Sequence, residues 1–144
     1  YIDFGEMAPN ITNTGQTKFL VGTNAEFGYT VRVTGTTLTS GINTIDPLVS
    51  PDSSRKGTSQ FGLNLRANTS PPSGAEVQGP GSATVAAGYN TPNMFKFTSG
   101  DIVASSTTTD SYRLYTANYI VNVGRNQAPG YYVSTLVYIA LASF

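Results

Sequence analysis

Alternation with a period of two residues is the feature that most limits what this chain can fold into. Tyr29, Val31 and Val33 fall on one side and Thr30, Arg32 and Thr34 on the other, and Gly35 ends the run. Phe61, Leu63, Leu65 and Ala67 alternate with Gly62, Asn64 and Arg66 in the same way, ended by Asn68 and the Pro71-Pro72 pair. Successive side chains of a strand point to opposite sides, so each run predicts a strand with one buried and one wet face. Glycine and proline, 15 and 8 of them, punctuate the rest, and β-branched and aromatic residues fill the spaces. That pattern predicts a sandwich or barrel and leaves little room for helix.

Other segments read as strands from shorter patterns. Ile2 and Phe4 predict a short opening strand stopped by Pro9, and Thr17–Thr23 places Phe19 with Val21. Met94–Thr98 and Asp101–Ser105 flank Ser99-Gly100 as a hairpin would. Tyr112–Val123 aligns Tyr119, Val121 and Val123, and Ala83–Ala87 adds a short piece. The last segment, Tyr131–Phe144, is almost continuously apolar, with Val133, Val137, Ile139 and Leu141 on one side and Leu136 and Tyr138 on the other. A strand apolar on both faces is expected at the centre of a sheet, or against a second molecule. The expected fold is all-β, one antiparallel β-sandwich domain of about eight strands over residues 1–144. Val31, Val33, Leu63, Leu65, Val121 and Leu136 are its expected core, and Asp46–Ser59 and Thr69–Pro92 its polar connections. A chain of 144 residues buries roughly 68–70% of its unfolded surface and needs no metal or disulfide to hold it.

Chemistry is narrowed by what is missing. With no histidine and no cysteine, disulfides, thiol nucleophiles, Ser-His-Asp catalysis and nearly all zinc and copper sites drop out. Carboxylates alone remain for acid-base work, and Asp3 with Glu6, Asp46 with Asp52, and Asp101 with Asp110 are the candidate pairs. Turn-forming and solubilising roles are the expectation for them. Asp46 and Asp52, together with loop carbonyls, could ligate calcium, but the EF-hand spacing is missing. Gly79-Pro80-Gly81 has no following Lys-Ser/Thr and reads as a turn, not a phosphate loop. The expectation is therefore no enzyme, no cofactor and no catalytic or metal-binding residue. Eight cations balance eight anions, and scattered charge of that kind speaks against nucleic acid. No run approaches the ~18 apolar residues of a membrane-spanning helix.

Some positive signals remain. Tyr131-Tyr132 put one ring on each face, and Tyr112, Tyr115 and Tyr119 crowd an earlier strand; such rings either pair across strands or meet a partner such as a sugar. Lys18 with Asn118 or Asn122 is the residue set that some surface domains join by an isopeptide bond. Asn10 and Asn68 begin glycosylation tripeptides. Abundant Thr, Asn, Gly and Tyr with few Lys and Glu suits a secreted bacterial surface protein, and a first residue other than methionine suits a processed start.

Phe4-Gly5-Glu6-Met7-Ala8-Pro9, followed by a Thr-rich strand, resembles the opening of pilin-like domains of the chaperone–usher and spore-coat-U type. Ala128-Pro129-Gly130-Tyr131-Tyr132, leading into an apolar strand, resembles their closing segment. Thr23–Val31 and Phe61–Thr69 look like secreted bacterial surface proteins of similar build. The chain departs from the pilin pattern in having no cysteine. The resemblance implies an immunoglobulin- or pilin-like sandwich, extracellular, whose partners are copies of itself or neighbouring surface domains, joined by an added strand. Glycans are the alternative partner, through exposed tyrosines. Tyr131, Val133, Val137, Ile139 and Leu141, with Ile2 and Phe4 at the other end, are the candidate interface residues.

Overall fold

The alternating runs do form strands. In the computed structural model, which describes residues 1–144, β1 (Asn13–Thr23) and β2 (Tyr29–Gly35) come first, then the short β3 (Thr39–Ser40) and β4 (Asn43–Thr44). β5 (Gln60–Asn64) is followed by the short β6 (Asn68–Thr69), β7 (Pro72–Ser73) and β8 (Thr84–Val85). β9 (Ile102–Ser106), β10 (Asp110–Asn122) and β11 (Leu136–Ala142) complete the chain. There is no helix, and hence none long and apolar enough to cross a membrane.

Two antiparallel sheets carry the architecture, one in the order β1-β10-β5 and the other β11-β2-β9-β8. Their inner faces share one core, with Tyr29, Val31 and Val33 of β2 against Phe61, Leu63, Tyr115, Tyr119 and Val121 of β5 and β10. This is the all-β sandwich that the alternation predicts. Val31, Val33, Leu63, Leu65 and Val121 are buried, each worth about 1.5–3 kcal/mol of transfer free energy. Leu136 is only half-buried, because it starts a strand at the margin of the core.

Four expectations need correction. The Phe61 run has no wet face: all of β5 is buried, as are Thr116, Asn118 and Asn122 on the outer side of β10. The expected polar connection 46–59 folds over this side as a third layer, tied down by bridges such as Asp52–Phe95 and Pro47–Phe61. The 69–92 connection sets Gly74 against Asn118 and then runs into β8 of the other sheet. Ser53 and Ser54 reach Gln60 and Asn122 through hydrogen bonds of 3.1 and 2.9 Å. Met94–Thr98 makes only the isolated bridges Phe95–Asp52 and Lys96–Leu63, although Thr98 and Asp101 do close the turn expected there.

Ile2–Phe4 is not a strand, since no other stretch of backbone pairs with it. Finally, Tyr131–Phe144 is strand only from Leu136 onward and does not lie at the centre of a sheet. β11 has β2 on one side and no strand on the other, so it ends the sheet, with β9 next to β2 on its far side. Between Tyr131 and Leu136 the chain makes a single backbone bridge, Thr39–Val133. The carbonyl of Thr135 occupies the space that a side chain on Gly35 would need.

Candidate functional site

The open side of the sandwich lies where the two sheets each end on a free strand. β11 terminates one and β1 the other. Across the seam Phe19 of β1 stacks on Tyr138 of β11 at 4.8 Å between ring centroids, and within its own sheet on Tyr115 at 5.2 Å. The Tyr119 and Tyr138 hydroxyls share a 2.5 Å hydrogen bond, as do Tyr29 and Tyr115 at 2.8 Å. These aromatic contacts clamp the sheets together where no strand closes them.

Next to this clamp is a groove of about 500 Å³, lined by Leu38, Phe61, Tyr119, Tyr138, the Gly130–Leu136 stretch and the first residues of the chain. Ile2 and Phe4 turn inward and half-bury themselves there. They can do so because Gly15 has no side chain: a Cβ would overlap Ile2 and meet Phe4 at 3.0 Å. Only the Asn13 amide holds this segment by its backbone, donating to the carbonyls of Phe4 at 2.6 Å and Glu6 at 3.0 Å. Gly15→Val is therefore expected to push residues 1–7 out of the groove. Chymotrypsin should then cut after Phe4 far faster than in the parent protein while the melting temperature of the remainder changes little.

The expected interface residues fall in two places. Val137, Ile139 and Leu141 line the outer face of β11 and are 49, 40 and 54% exposed. Tyr131 and Val133, 95 and 67% exposed, stand at the mouth of the groove that Ile2 and Phe4 enter. Tyr119, Tyr138, Phe19 and Gly15 belong to the same region, and residue spacing alone did not single them out as a unit. Tyr132 fixes the bend before β11, donating to the Ala128 carbonyl at 2.6 Å and accepting from Gln127 at 2.8 Å.

Three of the candidate carboxylates, Asp52, Asp101 and Asp110, have structural partners. Asp52 forms a two-pronged pair with Arg55, and Asp101 accepts from Lys96 at 2.5 Å and from the Tyr89 hydroxyl at 2.9 Å. Asp110 accepts from the Ser82 amide and hydroxyl and from the Ala83 amide. Burial pushes the Asp110 carboxyl up, but these donors with Arg113 outweigh it and hold it below the usual range. No three carboxylates come together where a metal could be held. Asn68 is buried, and its amide nitrogen donates to Asn64, Arg66 and Ser73, whereas Asn10 is exposed. Lys18 is exposed opposite Thr116, while Asn118 is fully buried.

Burial raises the phenols of Tyr29, Tyr89, Tyr115 and Tyr138 above 10 and that of Tyr119 to about 12. Their neutral forms are favoured in the fold, so this contribution to stability is complete below pH ~10 and is lost as pH rises above it. Circular dichroism is expected to hold steady up to that point. Phenolate absorbance from these five rings should then appear together with unfolding. Compared with family models, with curated proteins and with solved structures, the chain matches none.

Proposed function

We propose that this chain is a structural subunit of an extracellular surface fibre or pilus-like filament, whose neighbours join by β-strand addition. The observation that carries the reading is β11, an edge strand that is apolar on both faces and followed and preceded by no charge between Asn126 and Phe144. Edges of stable monomers are guarded by charges, bulges or a covering loop, and this one has no such guard along its length. A strand laid on it would satisfy the backbone groups, and side-chain alternation would set the register. β11 and β1 are free edges at the ends of the two sheets, and contacts made at both of them propagate as a filament. The polar, Thr- and Asn-rich composition supports a place outside the cell.

Ile139→Lys puts a charge on the outer face without touching the core. Light scattering and electron microscopy are expected to show filaments of the parent protein and none of the variant, with equal melting temperatures. A parent that stays monomeric at high concentration, or a variant that assembles equally well, would sink the reading. The aromatic groove supports a second reading, a carbohydrate-binding or adhesin module with Tyr131 at its rim. A glycan array on which the parent binds and Tyr131→Ala does not would favour it.

A further inference from the structure

We infer that β11 pairs with β11 of a second copy, antiparallel about a two-fold axis through Ile139. This rests on the reading that subunits join at strand edges. Val33 spends both of its backbone groups on the β9 side, donating to the Asp101 carbonyl at 3.1 Å and accepting from the Gly100 amide at 2.7 Å. Alternation along β2 then turns Thr30, Arg32 and Thr34 toward β11, where they face Leu141, Ile139 and Val137. Ser143 keeps the same phase, donating to the Gly28 carbonyl at 2.9 Å. Leu136, Tyr138, Ala140 and Ala142 are left with their N–H and C=O groups turned away from β2, and no bridge meets them.

The occupant of that edge must offer backbone groups at every second position over seven residues. β11 meets this requirement for itself. Its midpoint is Ile139, and antiparallel pairing about that residue sets Leu136 opposite Ala142 and Tyr138 opposite Ala140, in both directions. Every outward-turned group is then used. A shift of one residue would oppose free groups to spent ones, and a shift of two would strand an end.

Side chains fit the same register. On the inner face a large residue meets a small one, Leu against Ala and Tyr against Ala. On the outer face Val137 crosses Leu141, and Ile139 crosses its own copy. Two-fold pairing near the axis brings any charge close to its like, which is destabilising, and β11 carries none. The contact is isologous and closes as a dimer, joining the two four-stranded sheets into one. β1 stays free for the contact that lengthens a fibre.

The chain has no cysteine of its own, so single introduced cysteines report the register. Residues directly opposite at a non-bonded site have Cα atoms about 4.5 Å apart, within disulfide reach. Ile139→Cys is expected to form a disulfide dimer on mild oxidation at least ~10-fold faster than Val137→Cys or Leu141→Cys alone. Copies of those two positions lie four residues apart across the axis, roughly 13 Å. An equal mixture of Val137→Cys and Leu141→Cys should cross-link as the mixed pair. Equal rates for the three single variants would overturn the inference. So would an unlinked Ile139→Cys in a protein that assembles by light scattering, with the broader strand-addition reading left standing. A parent that never associates, with no variant cross-linking, would remove both.

Discussion

Deleting Val137–Phe144 is expected to abolish the soluble fold. The deletion removes the strand that covers one side of β2 along its whole length, from Tyr29 to Thr34. It also removes Tyr138, whose ring stacks on Phe19 and whose hydroxyl bonds to Tyr119 across the seam. β2 carries Tyr29, Val31 and Val33 into the centre of the core, so an unpaired β2 would present a core strand's edge to solvent. A ladder hydrogen bond is worth about 0.5–1.5 kcal/mol net, and a whole domain has only ~5–15 kcal/mol to lose. The shortened chain should go to the insoluble fraction on expression, and whatever is recovered should lack the strand signal in circular dichroism. Soluble shortened protein with an unchanged spectrum would show that β11 is an accessory to the fold and not part of its frame.

The same strand shows where sequence reasoning succeeds and where it stops. Period-two alternation identified β2 and the inward residues of β5 and β10 because a strand's two faces differ in chemistry whatever the strand packs against. It could not rank the strands within a sheet. Tyr131–Phe144 is apolar on both sides, which suits a central strand or an exposed adhesive edge equally, and only the pairing of β2 with β9 separates the two. The outer face of β5 was misread for a related reason. Gly62 and Asn64 look like solvent-facing residues, and a polar face fits water or a polar protein layer alike. Loop 46–59 supplies that layer through the Ser53 carbonyl and Ser54 hydroxyl, and the Thr91 carbonyl of the second loop accepts from Asn64. The groove was illegible because Ile2, Gly15, Phe61, Tyr119 and Tyr138 meet from five separate places in the chain, with nothing periodic to connect them.

That buried polar layer makes a prediction in which two asparagines on one strand face give opposite results. Asn122 is fully buried and fully engaged. Its carbonyl oxygen accepts from the Thr12 hydroxyl at 2.6 Å, and its amide donates to Ser54 and Gln60, both at 2.9 Å. Asn122→Leu would take one hydrogen bond from each of these partners, at about 0.5–1.5 kcal/mol net per bond, and loosen the 46–59 layer on the sheet. Asn118, four residues earlier and equally buried, finds no partner in the protein for either amide atom. Burying an unpaired amide is itself a cost, so Asn118→Leu, close in volume, is expected to leave stability unchanged or to raise it. Thermal melts decide between them, at about 3–4 °C per kcal/mol for a chain of this length. Asn122→Leu should melt several degrees lower and Asn118→Leu no lower than the parent. Equal losses in both variants would mean that the third layer is held by shape alone, and that its hydrogen bonds to the sheet contribute nothing to keeping it closed.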